Sequence, residues 1–156
     1  MMINCQEINK LFRDKGLTLG SVESFTGGLF AREITLVPGA SKFYKGGLVT
    51  YATEEKVRLL NIPQSLVDQY GVVSKEVAYA MADLGRKVLA VDCCVSFTGN
   101  AGPEAMENKP VGEVYLALAT PEKVEAFGYQ LEGTREEIQK NAISLAFTLL
   151  KKYLEK

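Results

Sequence analysis

The sequence predicts a three-layer α/β/α sandwich built on a mixed, mostly parallel sheet. Three observations lead there. Helix-length amphipathic segments separate the early strand-like runs, and parallel strands need such crossovers. Two late runs, Glu113 to Thr120 and Val124 to Leu131, meet across the turn Thr120-Pro121-Glu122-Lys123 and so read as an antiparallel hairpin. The chain has 156 residues, 47% of them hydrophobic, which is enough to fill one core. Residues 1–156 are therefore read as a single domain.

Each element has its own signal. Ile3 to Lys15 carries a partial helical stripe of Ile3, Ile8, Leu11 and Phe12, closed by Gly16. Leu17 to Val22 is the first strand. The polar turn Glu23 to Gly28 follows it, and Gly27 to Leu36 reads as the next helix. Val37 to Ser41 is a Pro-Gly turn, and Lys42 to Lys45 a bridge or loop. Gly46 to Tyr51 is the second strand. Thr53 is placed to cap a helix from Glu54 to Leu60. The first turn of that helix holds two acids and, against the macrodipole, Lys56. Pro63 opens a short helix at its first position and Gly71 ends it. Ser74 caps a long helix to Leu89, with Val77, Ala80, Met81, Leu84 and Val88 on one face. Asp92 to Thr98 lacks polar alternation and reads as a strand buried on both faces. Thr98 to Gly112 is a loop, and the hairpin comes next. Thr134 and Glu137 form a capping box for the last helix, which carries Ile138, Leu145, Leu149 and Tyr153.

Composition excludes several functions. A net charge of -1 offers no field to hold a nucleic-acid backbone, so no nucleic-acid partner is expected. No apolar run approaches the length of a membrane span, so no membrane partner is expected. Met1 to Lys10 lack a signal-peptide pattern, and the cytoplasm is the expected location. The chain has no histidine, which rules out a Ser-His-Asp or Cys-His site within it. A serine nucleophile here needs Lys, a carboxylate or Tyr as its base. Cys5, Cys93 and Cys94 do not make a zinc site without histidine, so no metal is expected. Adjacent Cys93 and Cys94 on a strand face opposite ways and read as small core residues.

Three sequence-distant polar segments follow three predicted strands: 23–28, 51–56 and 98–112. Ligand sites gather beyond the carboxyl ends of parallel strands, so Ser24, Thr26, Tyr51, Lys56, Thr98 and the loop glycines are expected to share a cleft. Ser24 is the candidate nucleophile. A desolvated lysine loses affinity for its proton and can take one from a serine hydroxyl. A tyrosine hydroxyl can relay that proton. Backbone N–H groups in Gly-rich turns can hold an oxyanion or a phosphate. The set suits hydrolysis of an amide or ester. A plainer reading stands beside each part: Ser24 or Thr26 as a helix cap, Lys56 as a solvated helix residue, Tyr51 as a sheet-edge aromatic, 98–112 as a structural turn.

The ordered segments Val22-Glu23-Ser24-Phe25-Thr26-Gly27-Gly28, Pro38-Gly39-Ala40-Ser41, Gly46-Gly47-Leu48-Val49-Thr50-Tyr51, Lys56, Gly71-Val72-Val73-Ser74, Thr98-Gly99-Asn100-Ala101-Gly102-Pro103 and Lys109-Pro110-Val111-Gly112 resemble the CinA C-terminal domain family, the nicotinamide-nucleotide amidases. The resemblance spans roughly Lys10 to Lys152. It implies hydrolysis of the carboxamide of nicotinamide mononucleotide, giving nicotinate mononucleotide and ammonia. By resemblance Ser24 is the nucleophile and Tyr51 and Lys56 serve its proton transfers. Thr26, Gly27, Gly28, Thr98, Gly99, Ala101, Gly102, Arg135 and Gln139 are the implied substrate-binding positions. No cofactor is implied, and a homo-oligomer is. Four departures from the family pattern stand out: Phe25 where Cys is usual, Asn100 where Ile is common, Glu104-Ala105-Met106 in place of a polar residue and a Gly pair, and Gln139 in place of a second arginine. They keep two alternatives open, a catalytically weak nucleotide- or partner-binding module and an amidase for another small amide.

Overall fold

The computed structural model describes residues 5–156. Six α-helices and five strands follow one another as α1 (Cys5–Lys15), β1 (Leu19–Glu23), α2 (Leu29–Thr35), β2 (Tyr44–Val49), α3 (Thr53–Leu60), α4 (Gln64–Tyr70), α5 (Lys75–Leu89), β3 (Cys93–Gly99), β4 (Glu113–Ala119), β5 (Val124–Gln130) and α6 (Arg135–Leu154). The predicted start of the first helix, Ile3, lies outside the described residues. The strands form one sheet in the order β2-β1-β3-β4-β5. β1 pairs in parallel with both β2 and β3, while β3–β4 and β4–β5 are antiparallel. Four of the five strands thus run in one sense, with β4 reversed. The predicted hairpin is β4–β5.

The helices cover both faces and enclose two cores. Against one face lie α1, α2 and α6, whose buried residues include Ile8, Phe12, Phe30, Ile138 and Phe147. The Phe30 ring sits 5.3 Å from Phe97 and 5.7 Å from Phe147 in tilted contacts, the geometry that aromatic quadrupoles favour. Against the other face lie α3, α4 and α5, with Val22, Val77, Ala78, Met81 and Cys94 at the centre. Cys93 and Cys94 fall in different cores, as strand alternation requires. Burial raises both thiols, Cys93 to about 12, which keeps it protonated at neutral pH.

Several boundaries differ from the sequence reading, each for a local reason. Gly27 and Gly28 have φ of 59° and 101°, so they form a left-handed turn and α2 starts only at Leu29. The second strand begins and ends earlier than predicted. A 3-10 turn at Ala40–Lys42 delivers the chain to Tyr44, and Thr50 and Tyr51 lie past the strand end. Thr53 is already helical; Ala52 stands at the N-cap with no side-chain cap. Pro63 likewise occupies the N-cap of α4 rather than its first turn. The caps at Ser74 and Thr134 form as expected.

α5 approaches the sheet closely at Gly85. A Cβ there would stand 2.4 Å from Val22 Cγ2 and 3.1 Å from Cys94 Sγ. Gly85→Val is therefore expected to push α5 off the sheet and lower stability by about 1–3 kcal/mol. A urea-unfolding midpoint equal to wild type would contradict this.

Candidate active site

The site grows out of the end of β1. Glu23 is its last residue and is 1% exposed. Its Oε1 accepts from the Thr26 hydroxyl at 2.7 Å and from the backbone N–H groups of Gly28 and Phe30 at 3.2 and 3.0 Å. Oε2 accepts from Ala31 N–H at 3.1 Å. One carboxylate thus satisfies the start of α2 and folds the turn around itself. The Gly27 N–H donates to the Ser24 carbonyl at 3.0 Å. The donors of Thr26 Oγ1, Gly27 and Gly28 are consequently spent inside the turn. Glu23→Gln keeps the shape but sets an amide donor against a backbone N–H. It is expected to cost about 1–3 kcal/mol, read by denaturant unfolding; an unchanged midpoint would deny Glu23 this role.

Ser24 follows directly and is 8% exposed. Lys56 comes to it from the first turn of α3. The residue is 1% exposed, and its ammonium donates to Ser24 Oγ at 3.0 Å and to the Thr50 carbonyl at 2.5 Å. Burial lowers the Lys56 pKa to about 8, against a smaller upward pull from Glu107 and Glu54. A position that is unfavourable by helix rules is thus one where the lysine gives up its proton readily.

Ser24 and Lys56 open onto a cavity of about 410 Å3 whose lining includes Tyr51, Thr98, Gly99, Ala101, Gly102 and Arg135. Phe25, Asn100, Glu104 and Met106 also border it. Arg135 bridges two walls, donating to Tyr51 Oη at 2.9 Å and to the Gly102 carbonyl at 2.5 Å. The Tyr51 hydroxyl therefore faces Arg135, and the Lys56–Ser24 hydrogen bond is direct. Thr98 borders the cavity while its hydroxyl donates to the Val72 carbonyl at 2.7 Å. Asn100 organises the loop: its Oδ1 accepts from Gly102 N–H and its Nδ2 donates to the Lys109 carbonyl, both at 3.2 Å. Thr26, Gly27, Gly28 and Gln139 lie outside the lining. Gln139 Nε2 instead donates to the Phe25 carbonyl at 2.8 Å. The Phe25 ring packs into the core beside α6 and is 4% exposed.

Sequence reasoning did not find Glu23, the Thr50 carbonyl or Glu107. Glu107 accepts from the N–H groups of Val72 and Val73 at 2.9 and 3.0 Å, tying the 104–109 loop to the start of the α5 segment. Only Glu23 left a usable signal, an acid just before a Gly-Gly helix start. Among the described residues, no three His, Cys, Asp or Glu side chains gather as metal ligands, and no helix is long and apolar enough to cross a membrane.

Fold and site together define a three-layer α/β/α domain with a buried serine–lysine pair at the carboxyl end of its parallel strands. The family model described as the CinA C-terminal domain matches residues 4–154. A CinA-like protein of Geotalea uraniireducens (strain Rf4) is 45% identical over 94% of this chain and 35% of its own length. Its counterpart in Geobacter sulfurreducens is 47% identical over 85% of this chain and 32% of its own length. The crystal structure of the competence/damage inducible protein CihA from Agrobacterium tumefaciens superposes with a TM-score of 0.92 at 30% identity, covering 97% of this chain and 93% of that one. The CinA superfamily protein from Klebsiella pneumoniae 700603 has the same fold, with a TM-score of 0.93 at 24% identity over 98% of this chain and 99% of that one. The chain belongs to the CinA C-terminal domain family. It spans about a third of the length of the curated relatives it matches.

Proposed function

We propose that this chain is a serine amidohydrolase that converts nicotinamide mononucleotide to nicotinate mononucleotide and ammonia. The observation that carries the reaction type is the buried Lys56 amine, 3.0 Å from Ser24 Oγ and with its pKa lowered to about 8. At pH 7 about one molecule in ten then carries the neutral amine that a general base must be. The sequence resemblance supports the substrate. So does the cavity, which falls in the usual size range for a small-molecule site and has Arg135 on its wall as a cation for a phosphate.

In this reading, neutral Lys56 takes the Ser24 proton as Oγ bonds to the carboxamide carbon. The C=O pair moves onto oxygen. Collapse of that oxyanion breaks the C–N bond, and the nitrogen leaves as ammonia with the proton from Lys56. Water, deprotonated by the same amine, then adds to the nicotinoyl ester and releases Ser24 and the acid. Tyr51 takes part through Arg135, holding the cavity wall, with the proton passing directly between Ser24 and Lys56. No cofactor enters any step. A cytoplasmic location, expected from the first residues, and a homo-oligomeric state, implied by the resemblance, go with this reading.

The test is ammonia release from nicotinamide mononucleotide by purified protein, with Ser24→Ala as control. Release that vanishes in the variant supports the amidase. No release from folded wild type overturns this substrate and favours a binding module or an amidase for another small amide, which a panel of amides then separates.

A further inference from the structure

We propose that Gln139 is a positioning residue: by holding the Phe25 carbonyl, it aims the Thr26 N–H, beside that of Phe25, at the oxygen of the carbonyl that Ser24 attacks. The proposal rests on the amidohydrolase reading of the site. Gly27 N–H donates to the Ser24 carbonyl, and Leu29 N–H donates to the Thr26 carbonyl, each at 3.0 Å. Gly28 N–H goes to Glu23. Among the described residues, the N–H groups of Phe25 and Thr26 have no protein acceptor. These two residues are only 4% and 3% exposed. Buried backbone donors are nearly always paired, so two unpaired in succession, directly after a nucleophile, call for an acceptor that arrives with a ligand.

The two carbonyl anchors fix where those donors point. A trans peptide is planar, and its C=O and N–H point in opposite directions. Tying the Ser24 carbonyl into the turn through Gly27 turns the Phe25 N–H outward. Tying the Phe25 carbonyl to Gln139 turns the Thr26 N–H away from α6. Two adjacent N–H groups held in this way are what an oxyanion needs, because no reorganisation is left for the moment of reaction. Gln139 and Arg135 stand one turn apart on α6 and share a face. Arg135 holds Gly102 and Gln139 holds Phe25, so one helix face fixes both loops of the site. Gln139 lies outside the cavity lining and its amide is committed to the Phe25 carbonyl, which separates it from a residue that binds substrate.

The test compares wild type with Gln139→Glu, which keeps the shape and removes the donor, and Gln139→Met, which keeps the bulk. Two rates are measured. The first is ammonia release from nicotinamide mononucleotide as kcat and KM across pH. The second is labelling of Ser24 by a fluorophosphonate, followed by intact mass. In labelling, the Oγ–P bond forms, fluoride leaves and the serine proton passes to Lys56, while the phosphoryl oxygen occupies the oxyanion position. Both variants are expected to lose about 10- to 100-fold in kcat and in labelling rate. KM stays within about twofold, and the pH midpoint set by Lys56 stays in place. A raised KM with kcat unchanged, or rates equal to wild type, overturns the proposal. Should either variant fail to fold, Gln139→Ala removes the donor without a new group and is read in the same way. Wild type that labels at Ser24 but releases no ammonia overturns the substrate reading alone, and Gln139 is then judged on labelling. Wild type that does neither overturns both.

Discussion

Ser24→Ala is expected to reduce ammonia release from nicotinamide mononucleotide by about 10^4-fold or more while leaving the fold intact. The magnitude follows from what the substitution removes. In the proposed reaction Oγ is the atom that bonds to carbon, and no other hydroxyl stands within hydrogen-bond reach of Lys56 Nζ among the described residues. The N–H donors after Ser24 would remain, so weak residual catalysis by binding and orientation is all that survives. The fold is expected to hold because the turn is not built on this side chain. Glu23, the Ser24 carbonyl and the two left-handed glycines shape it. Lys56 keeps the Thr50 carbonyl as acceptor. Denaturant unfolding should place Ser24→Ala within about 1 kcal/mol of wild type. A folded variant with wild-type turnover would remove Ser24 from the chemistry.

Lys56→Met should cost about 10^2- to 10^4-fold in kcat/KM, the usual contribution of a general acid–base group. Wild type itself should show kcat/KM rising about tenfold per pH unit below the Lys56 pKa of about 8 and levelling off above it, because only the neutral amine accepts the serine proton. Stability carries the same signature with a definite sign. The lysine pKa is lowered on folding from 10.5 to about 8, so the unfolded chain binds more protons between those values. The cost of burying the ammonium is present in full below about pH 8 and is relieved as pH rises from there toward 10.5. The stability of wild type relative to Lys56→Met should therefore grow by up to about 3 kcal/mol between pH 7 and pH 10.5. Parallel unfolding series at several pH values would measure it. A difference that stays flat across that range would mean that Lys56 is solvated and cannot be the base.

Much of the architecture was legible in the chain. Hydrophobic period, glycine punctuation and the caps at Ser74 and Thr134 are local signals, and local signals act over a few residues. The hairpin could be read because its turn is short. The absence of histidine narrowed the chemistry before any geometry was known. Boundaries were less legible where backbone conformation overrode composition. Gly27 and Gly28 could equally begin a helix or make a left-handed turn, and the carboxylate of Glu23 favours the turn by accepting from the donors on either side of it.

By itself, then, the sequence determined a layered α/β fold, a serine followed by a glycine turn, and a lysine set against its helix dipole. Which of these meet was a matter of tertiary structure. Parallel pairing of β1 with β2 brings the Lys56 amine to Ser24 across 32 residues, and packing of α6 brings Gln139 to Phe25 across 114. Tertiary structure also turned Tyr51 toward Arg135 and enclosed Thr26 within its own turn. The physical reason is that a side chain's chemistry depends on its desolvation and its partners, and both are set by contacts between segments far apart in the chain. A lysine of ordinary basicity becomes a usable base only once the sheet and helices have excluded water from around it.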